Sequence, residues 1–369
     1  MLEETMLELG YNKDDIKEIV NHYSLIRYKE ETLSQKIKEI FNLFIELEYP
    51  KEIIIKITKD LPAIYGLSKE NITNKIKGLE EIGYTKKEII KISRISSSIY
   101  SYPLNKIKIK IKELISLGYT EEEVLKITKI VPTLLNTTIE KTKQKINYLE
   151  TLGYTKEEVR KMTTTQPSIY AISNYNISEK IAKIETLGYK REELLKMFKN
   201  FPQLFGLTYE NIKTKLNDLK ILGFSKEEAI TITKISPITF GYDIKKIKEK
   251  IILLESLNYT KEEIKKIIIS FPNILTLNIN TIKEKIEFYD SIGLHYSIIE
   301  KPKNLMQSIE LSYARYKFLE EKNIIIDNTN YRYLFIDEKS FNKLFGISKK
   351  ELLNIYKQDN SKNKLKVKI

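Results

Sequence analysis

Apolar and polar positions along this chain repeat with a fixed period. Apolar stretches end on Gly83-Tyr84, Gly118-Tyr119, Gly153-Tyr154, Gly188-Tyr189 and Gly223-Phe224, 35 residues apart each time. The same frame reaches Glu48-Tyr49, Asn258-Tyr259 and Gly293-Leu294, with an earlier copy at Gly10-Tyr11 whose unit is three residues longer. A recurring period of this length is the mark of a stacked repeat.

With the glycine as position zero, each unit reads as two helices. Thr or Ser at position 2 is followed three residues later by Glu: Thr85 and Glu88, Thr120 and Glu123, Thr155 and Glu158, Ser225 and Glu228, Thr260 and Glu263. These pairs predict capping boxes, in which hydroxyl and carboxylate each satisfy an N–H at a helix start. Apolar residues at positions 6, 9 and 13, such as Val124, Ile127 and Val131, fall on one face of that first helix. Proline at position 14 (Pro62, Pro132, Pro167, Pro202, Pro237, Pro272; Ser97 in one unit) ends it and starts a tight turn. Ser68, Thr138, Ser173, Thr208, Asp243 and Asn278 at position 20, with Pro103 in the remaining unit, predict the start of a second helix. Its stripe lies at positions 24, 28, 31 and 34, as in Ile247, Ile251, Leu254 and Leu257.

Neither stripe can be buried within one unit, so the pattern predicts an all-α helical-repeat solenoid of about eight 35-residue repeats forming a curved superhelix. A degenerate N-terminal repeat is expected over 1–47 and seven regular repeats over 48–292. Capping helices are expected over 293–358, including a longer apolar helix from Leu305 to Glu321 and a last one around Phe341 to Lys357, then a basic disordered tail over 359–369.

Composition narrows the chemistry. The net charge of +13, mostly from lysine, favours a polyanionic partner. There are no cysteines and only two histidines, His22 and His295, which removes disulfides, thiolate zinc sites and Cys/His nucleophilic pairs. With no Gly-rich phosphate loop or metal-spaced ligand set either, no catalytic residue, metal, cofactor or small-molecule substrate is expected. No apolar run approaches the roughly 18 residues of a membrane span. The acidic start MLEETMLELGYNKDD resembles neither a signal nor a transit peptide. A monomer in a bacterial cytoplasm is expected if the sequence is complete, or in an organellar matrix if a leader has been removed.

The frame LGYTKEEVLKI, the proline and aliphatic residue at Pro132 to Leu134, and KTKQKINYLETLGY together resemble the repeat of the mitochondrial transcription termination factor (mTERF) family, over roughly residues 1 to 325. The segment LMQSIELSYARYKFLEEKNI is similar to that family's C-terminal repeat. The resemblance implies a left-handed α-superhelix with a basic groove that holds double-stranded DNA or structured RNA, acting in transcription termination or other gene expression.

Three cationic columns are candidates for the contacts. Position 27 is lysine in seven consecutive repeats: Lys75, Lys110, Lys145, Lys180, Lys215, Lys250 and Lys285. Position 23 adds donors four residues earlier: Asn71, Lys106, Lys141, Asn176, Asn211 and Lys246. No regular carboxylate faces position 27, so the two columns read as a ladder for phosphates, with lysines that satisfy carbonyls of the neighbouring repeat as the alternative. Position 11, including Arg94 and Lys129, lies in the last turn of the first helix, where the dipole favours cations whatever the ligand. The lysines of position 8 read as partners of glutamates four residues earlier, and the aromatic residues of position 17 as core. Arg315 and Arg332 stand outside the columns, as possible contacts to phosphate or a base edge. The reading is a nucleic-acid-binding solenoid, and the alternative is a scaffold for an acidic peptide or protein.

Overall fold

The computed structural model describes residues 1–22 and 24–356, and the tail expected over 359–369 lies outside them. The described chain forms two compact units, Met1–Lys180 and a second beginning at Ile181.

In the first unit, α1 (Leu2–Leu9) and α2 (Lys13–Val20) precede the long α3 (Glu30–Glu46). Pairs then follow: α4 (Lys51–Asp60) with α5 (Lys69–Glu81), α6 (Lys86–Ile95) with α7 (Leu104–Ser116), and α8 (Glu121–Ile130) with α9 (Ile139–Thr151). Next come α10 (Lys156–Thr165) and α11 (Asn174–Glu185), whose last turns belong to the second unit. That unit continues with α12 (Arg191–Asn200) and α13 (Tyr209–Ile221), α14 (Lys226–Ile235) and α15 (Ile244–Ser256), and α16 (Lys261–Ser270) and α17 (Ile279–Ser291). Its end comprises α18 (His295–Glu300), α19 (Ile309–Glu321), α20 (Glu338–Phe345) and α21 (Lys349–Ile355). Among the described residues there is no strand, and no helix is long and apolar enough to cross a membrane. The architecture is an all-α helical-repeat solenoid.

Local chemistry explains the regularity. All five predicted capping boxes form. The prolines of position 14 each open a short 3-10 helix, as at Pro132–Leu135 and Pro202–Phe205. Ser97, which lacks proline's restriction, opens the same turn, and the residue before it, Ser96, keeps the extended φ of −143° seen before the prolines. Packing therefore holds this conformation even where proline does not impose it. At position zero the glycines are left-handed, for example Gly118 at φ 99°. Glu48 and Asn258 take the same conformation at φ 61° and 65°, at a cost of roughly 1–2 kcal/mol that glycine would avoid.

The C-terminal region differs from expectation. Instead of one helix from Leu305, α18 is followed by a 3-10 turn at Pro302–Met306 and α19 starts at Ile309, capped by Ser308. The segment is thus another repeat with a first helix of six residues. Its proline was hidden because the shortened helix moves it out of the 35-residue frame.

Hydroxyl chains join successive repeats. In four repeats the tyrosine after the glycine reaches position 10 of the next repeat: Tyr11 to Thr58 at 2.7 Å, Tyr84 to Thr128 at 2.6 Å, Tyr119 to Thr163 at 2.7 Å and Tyr189 to Thr233 at 2.5 Å. Tyr65 and Tyr170 at position 17 join Tyr11 and Tyr119, and Tyr100 joins Tyr49. Every such hydroxyl is partnered while its ring stays in the core, the requirement for burying a phenol. Where position 1 is Phe224, the corresponding later positions are Ile268 and Leu275, so donor and acceptors disappear together.

Candidate nucleic-acid interface

The position-27 lysines lie at the edge of each second helix, and they do not stand open to solvent. Lys75, Lys110, Lys145, Lys215 and Lys285 are only 5–8% exposed, and Lys180 and Lys250 are half-buried. Five of the ammonium groups reach the turn of the following repeat. Lys75 donates to the Tyr102 carbonyl, Lys145 to that of Ile172 and Lys215 to that of Tyr242, all at position 19. Lys250 donates to the Leu275 carbonyl at 2.5 Å and Lys285 to that of Leu305 at 2.6 Å, both two residues earlier in the turn. Lys145 adds the Asn174 side-chain oxygen at 2.5 Å. Carboxylates sit beside two of them, Glu113 at 3.0 Å from Lys110 and Asp218 at 3.1 Å from Lys215.

Arg315 continues this column. It lies seven residues after the cap Ser308, as Lys75 lies seven after Ser68. At 1% exposure it is fully buried, and its guanidinium donates to Leu334 at 2.9 Å and to Ile336 at 2.6 Å. The ring of Phe341 lies 4.4 Å away. A single guanidinium nitrogen, Nη1, takes both carbonyls between which the lysines choose. Arg315 is therefore not placed to touch a phosphate or a base edge; Arg332 is exposed.

Burial pushes the ammonium groups of Lys75, Lys180, Lys250 and Lys285 below the ordinary lysine value, and Lys145 down to about 8. The neighbouring Lys246 charge lowers Lys250 further. Burial likewise lowers Arg315 to about 10. These carbonyls are acceptors left over at the 3-10 turn, and a cation satisfies them without a carboxylate.

The position-11 cations are also divided. Lys129 meets Glu88 at 2.8 Å, so the capping-box carboxylate of one repeat is used again by the next. Lys234 with Glu193 and Lys59 with Asp15 repeat this contact. Arg94 escapes because the equivalent position before it is Ile53; it is exposed and has no carboxylate within 4 Å among the described residues. At position 8 the expected pairing holds for Lys161 with Glu157 at 3.5 Å, whereas Lys56 turns the other way, to Asp60 at 2.9 Å.

Open charge remains on the shoulders of the second helices. Asn71, Lys106, Lys141, Asn176, Asn211 and Lys246 at position 23 are all exposed. Position 25, absent from the sequence reading, supplies the exposed Lys108, Lys143, Lys213, Lys248 and Lys283. Its signal was lysine in five of seven repeats, roughly 90° from the apolar stripe on the side away from position 27. Among the described residues Lys106, Lys141, Lys143, Lys213, Lys246 and Lys248 have no carboxylate within 4 Å, while Lys108 has a distant Glu81 at 3.5 Å and Lys283 Glu287 at 3.7 Å.

Within a unit, position 23 of one second helix and position 25 of the next flank a common groove. Tyr148 of α9 bonding Ser178 of α11 at 2.7 Å fixes which sides face each other. Lys106 and Lys143 thus flank the groove between α7 and α9, and Lys246 and Lys283 that between α15 and α17. The buried ammonium groups lie beneath these grooves, close to helix N-termini whose dipoles also favour anions.

The family model described as mTERF matches residues 4–219 and again 170–342. No curated protein matches the chain.

Proposed function

Because the chain belongs to the mTERF family, whose members are in general nucleic-acid-binding helical-repeat proteins, we propose that it captures the phosphate backbone of double-stranded DNA or structured RNA on the shoulders of its second helices. Its role on this reading is in transcription regulation, including termination, or related gene expression. The carrying observation is the set of exposed ammonium groups with no carboxylate within 4 Å among the described residues, Lys106, Lys141 and Lys143 in one unit and Lys213, Lys246 and Lys248 in the other. Phosphate contacts of this kind fix position along a duplex with little dependence on sequence. The buried position-27 cations support the reading differently, by setting the spacing of the grooves and adding positive potential under them.

Crosslinking in the native cell followed by sequencing of bound DNA and RNA tests the proposal and assigns the ligand class. Recovery of DNA or RNA above background, lost when Lys106, Lys141 and Lys143 are replaced by glutamine, is the expected result. Recovery of neither nucleic acid above background would contradict it.

A further inference from the structure

The first helices of the unit Met1–Lys180 are not equivalent. Position 4 is Glu52 in α4, Glu122 in α8 and Glu157 in α10, but Lys87 in α6. The single carboxylate of α6, Glu88, is engaged by the Thr85 N–H at 2.9 Å and by Lys129. Lys87, Lys91 and Arg94 are consequently exposed on α6 with no carboxylate within 4 Å among the described residues. By contrast, Lys56 and Lys59 of α4 and Arg160 and Lys161 of α10 are all paired.

The same surface exposes apolar side chains. Ile95 at the end of α6 is 55% exposed and Ile130, at the same position of α8, is 50% exposed. Lys126 of α8 stands exposed beside Lys91 in the position-8 row. Since α6 and α8 pack side by side, the two isoleucines are about 10 Å apart, which matches the rise over about seven residues of an α-helix.

We propose that Lys91, Arg94, Ile95, Lys126 and Ile130 form a docking surface for an acidic amphipathic helix of a protein partner. The helix lies across α6 and α8, with apolar side chains at i and i+7 on the isoleucines and carboxylates between them facing Arg94 and the two lysines. Complementary charge orients such a segment, and apolar burial holds it. A phosphate backbone would use the cations and leave both isoleucines in water, which is why a protein segment fits this face better.

The test is selection of displayed random peptides on the full chain, followed by anisotropy titration of the enriched sequences. The expected result is acidic peptides with apolar residues seven apart, weakened about tenfold or more by Arg94→Glu and by the double substitution Ile95→Ser/Ile130→Ser. The affinity of the double variant for random duplex DNA should stay at the level of the parent protein. Thermal melts of both variants establish that they fold, which exposed positions permit. Failure to enrich acidic peptides, or enriched peptides that bind the Ile95→Ser/Ile130→Ser protein unchanged, overturns the proposal. Loss of duplex affinity in the isoleucine variant would assign the face to nucleic acid and also overturn it. Absence of duplex binding by the parent protein bears on the phosphate reading alone.

Discussion

Two rows of cations run down the same second helices, and they have opposite fates. Lys75, Lys145, Lys215, Lys250 and Lys285 lean over the edge of the helix and find a carbonyl in the next repeat's turn. Lys141 and Lys143, one turn and two residues earlier, meet no such acceptor and remain in water. The difference is one of distance to a backbone acceptor, since composition and local sequence are nearly the same. A lysine that recurs at every repeat is thus as readily a joint between repeats as a contact for a ligand.

Breaking the joint where it is most complete should have the largest effect. Arg315→Met leaves the Ile336 carbonyl without its donor and the Leu334 carbonyl with the Gln307 side-chain amide alone; a buried unsatisfied acceptor costs about 1–3 kcal/mol and a lost hydrogen bond about 0.5–1.5 kcal/mol. Urea unfolding should show a loss of about 2–4 kcal/mol, with early amide exchange around α19 and α20. Arg315→Lys, which can serve one carbonyl, should recover part of the loss. An unchanged midpoint for Arg315→Met would mean that the guanidinium's desolvation offsets its bonds.

Lys145→Met should cost less, about 1–3 kcal/mol at neutral pH, and its effect should depend on pH. Burial holds Lys145 near 8, against an ordinary value of 10.5. Between these values the unfolded chain binds the extra proton, so raising the pH favours the folded state of the parent protein. The deficit of Lys145→Met should therefore widen from pH 8 to 10.5, as measured by paired denaturation curves. A deficit that shrinks over that interval would contradict the assigned burial cost.

The hydroxyl seam predicts a smaller effect. Tyr119→Phe removes a hydroxyl that bonds both Thr163 and Tyr170, for a loss of about 1–2 kcal/mol in thermal melts. Phe224→Tyr should also destabilise, because Ile268 and Leu275 stand where Thr163 and Tyr170 meet the Tyr119 hydroxyl. If Tyr119→Phe were neutral, the seam would be packing alone.

Much of the fold was legible because it is written locally: Thr120 with Glu123 and Pro132 each set backbone geometry within a few residues. The shortened repeat at α18 escaped because its proline, Pro302, falls out of phase. The candidate site was harder to read. An intrahelical search for carboxylates around Lys75 cannot see the carbonyl of Tyr102, 27 residues later. Nor can spacing alone tell that Arg315 belongs with Lys75 until Ser308 is recognised as its cap.

The most direct measurement is the salt dependence of duplex affinity for two variants of one protein. Each neutralised phosphate contributes about 0.9 to the slope of log K against log salt. Replacing Lys106, Lys141 and Lys143 by glutamine should flatten the slope by about two to three with stability intact, whereas Lys145→Met should lower stability and leave the slope where it was. The reverse outcome, a flatter slope for Lys145→Met with undiminished stability and an unchanged slope for the triple variant, would contradict the division between joint and contact.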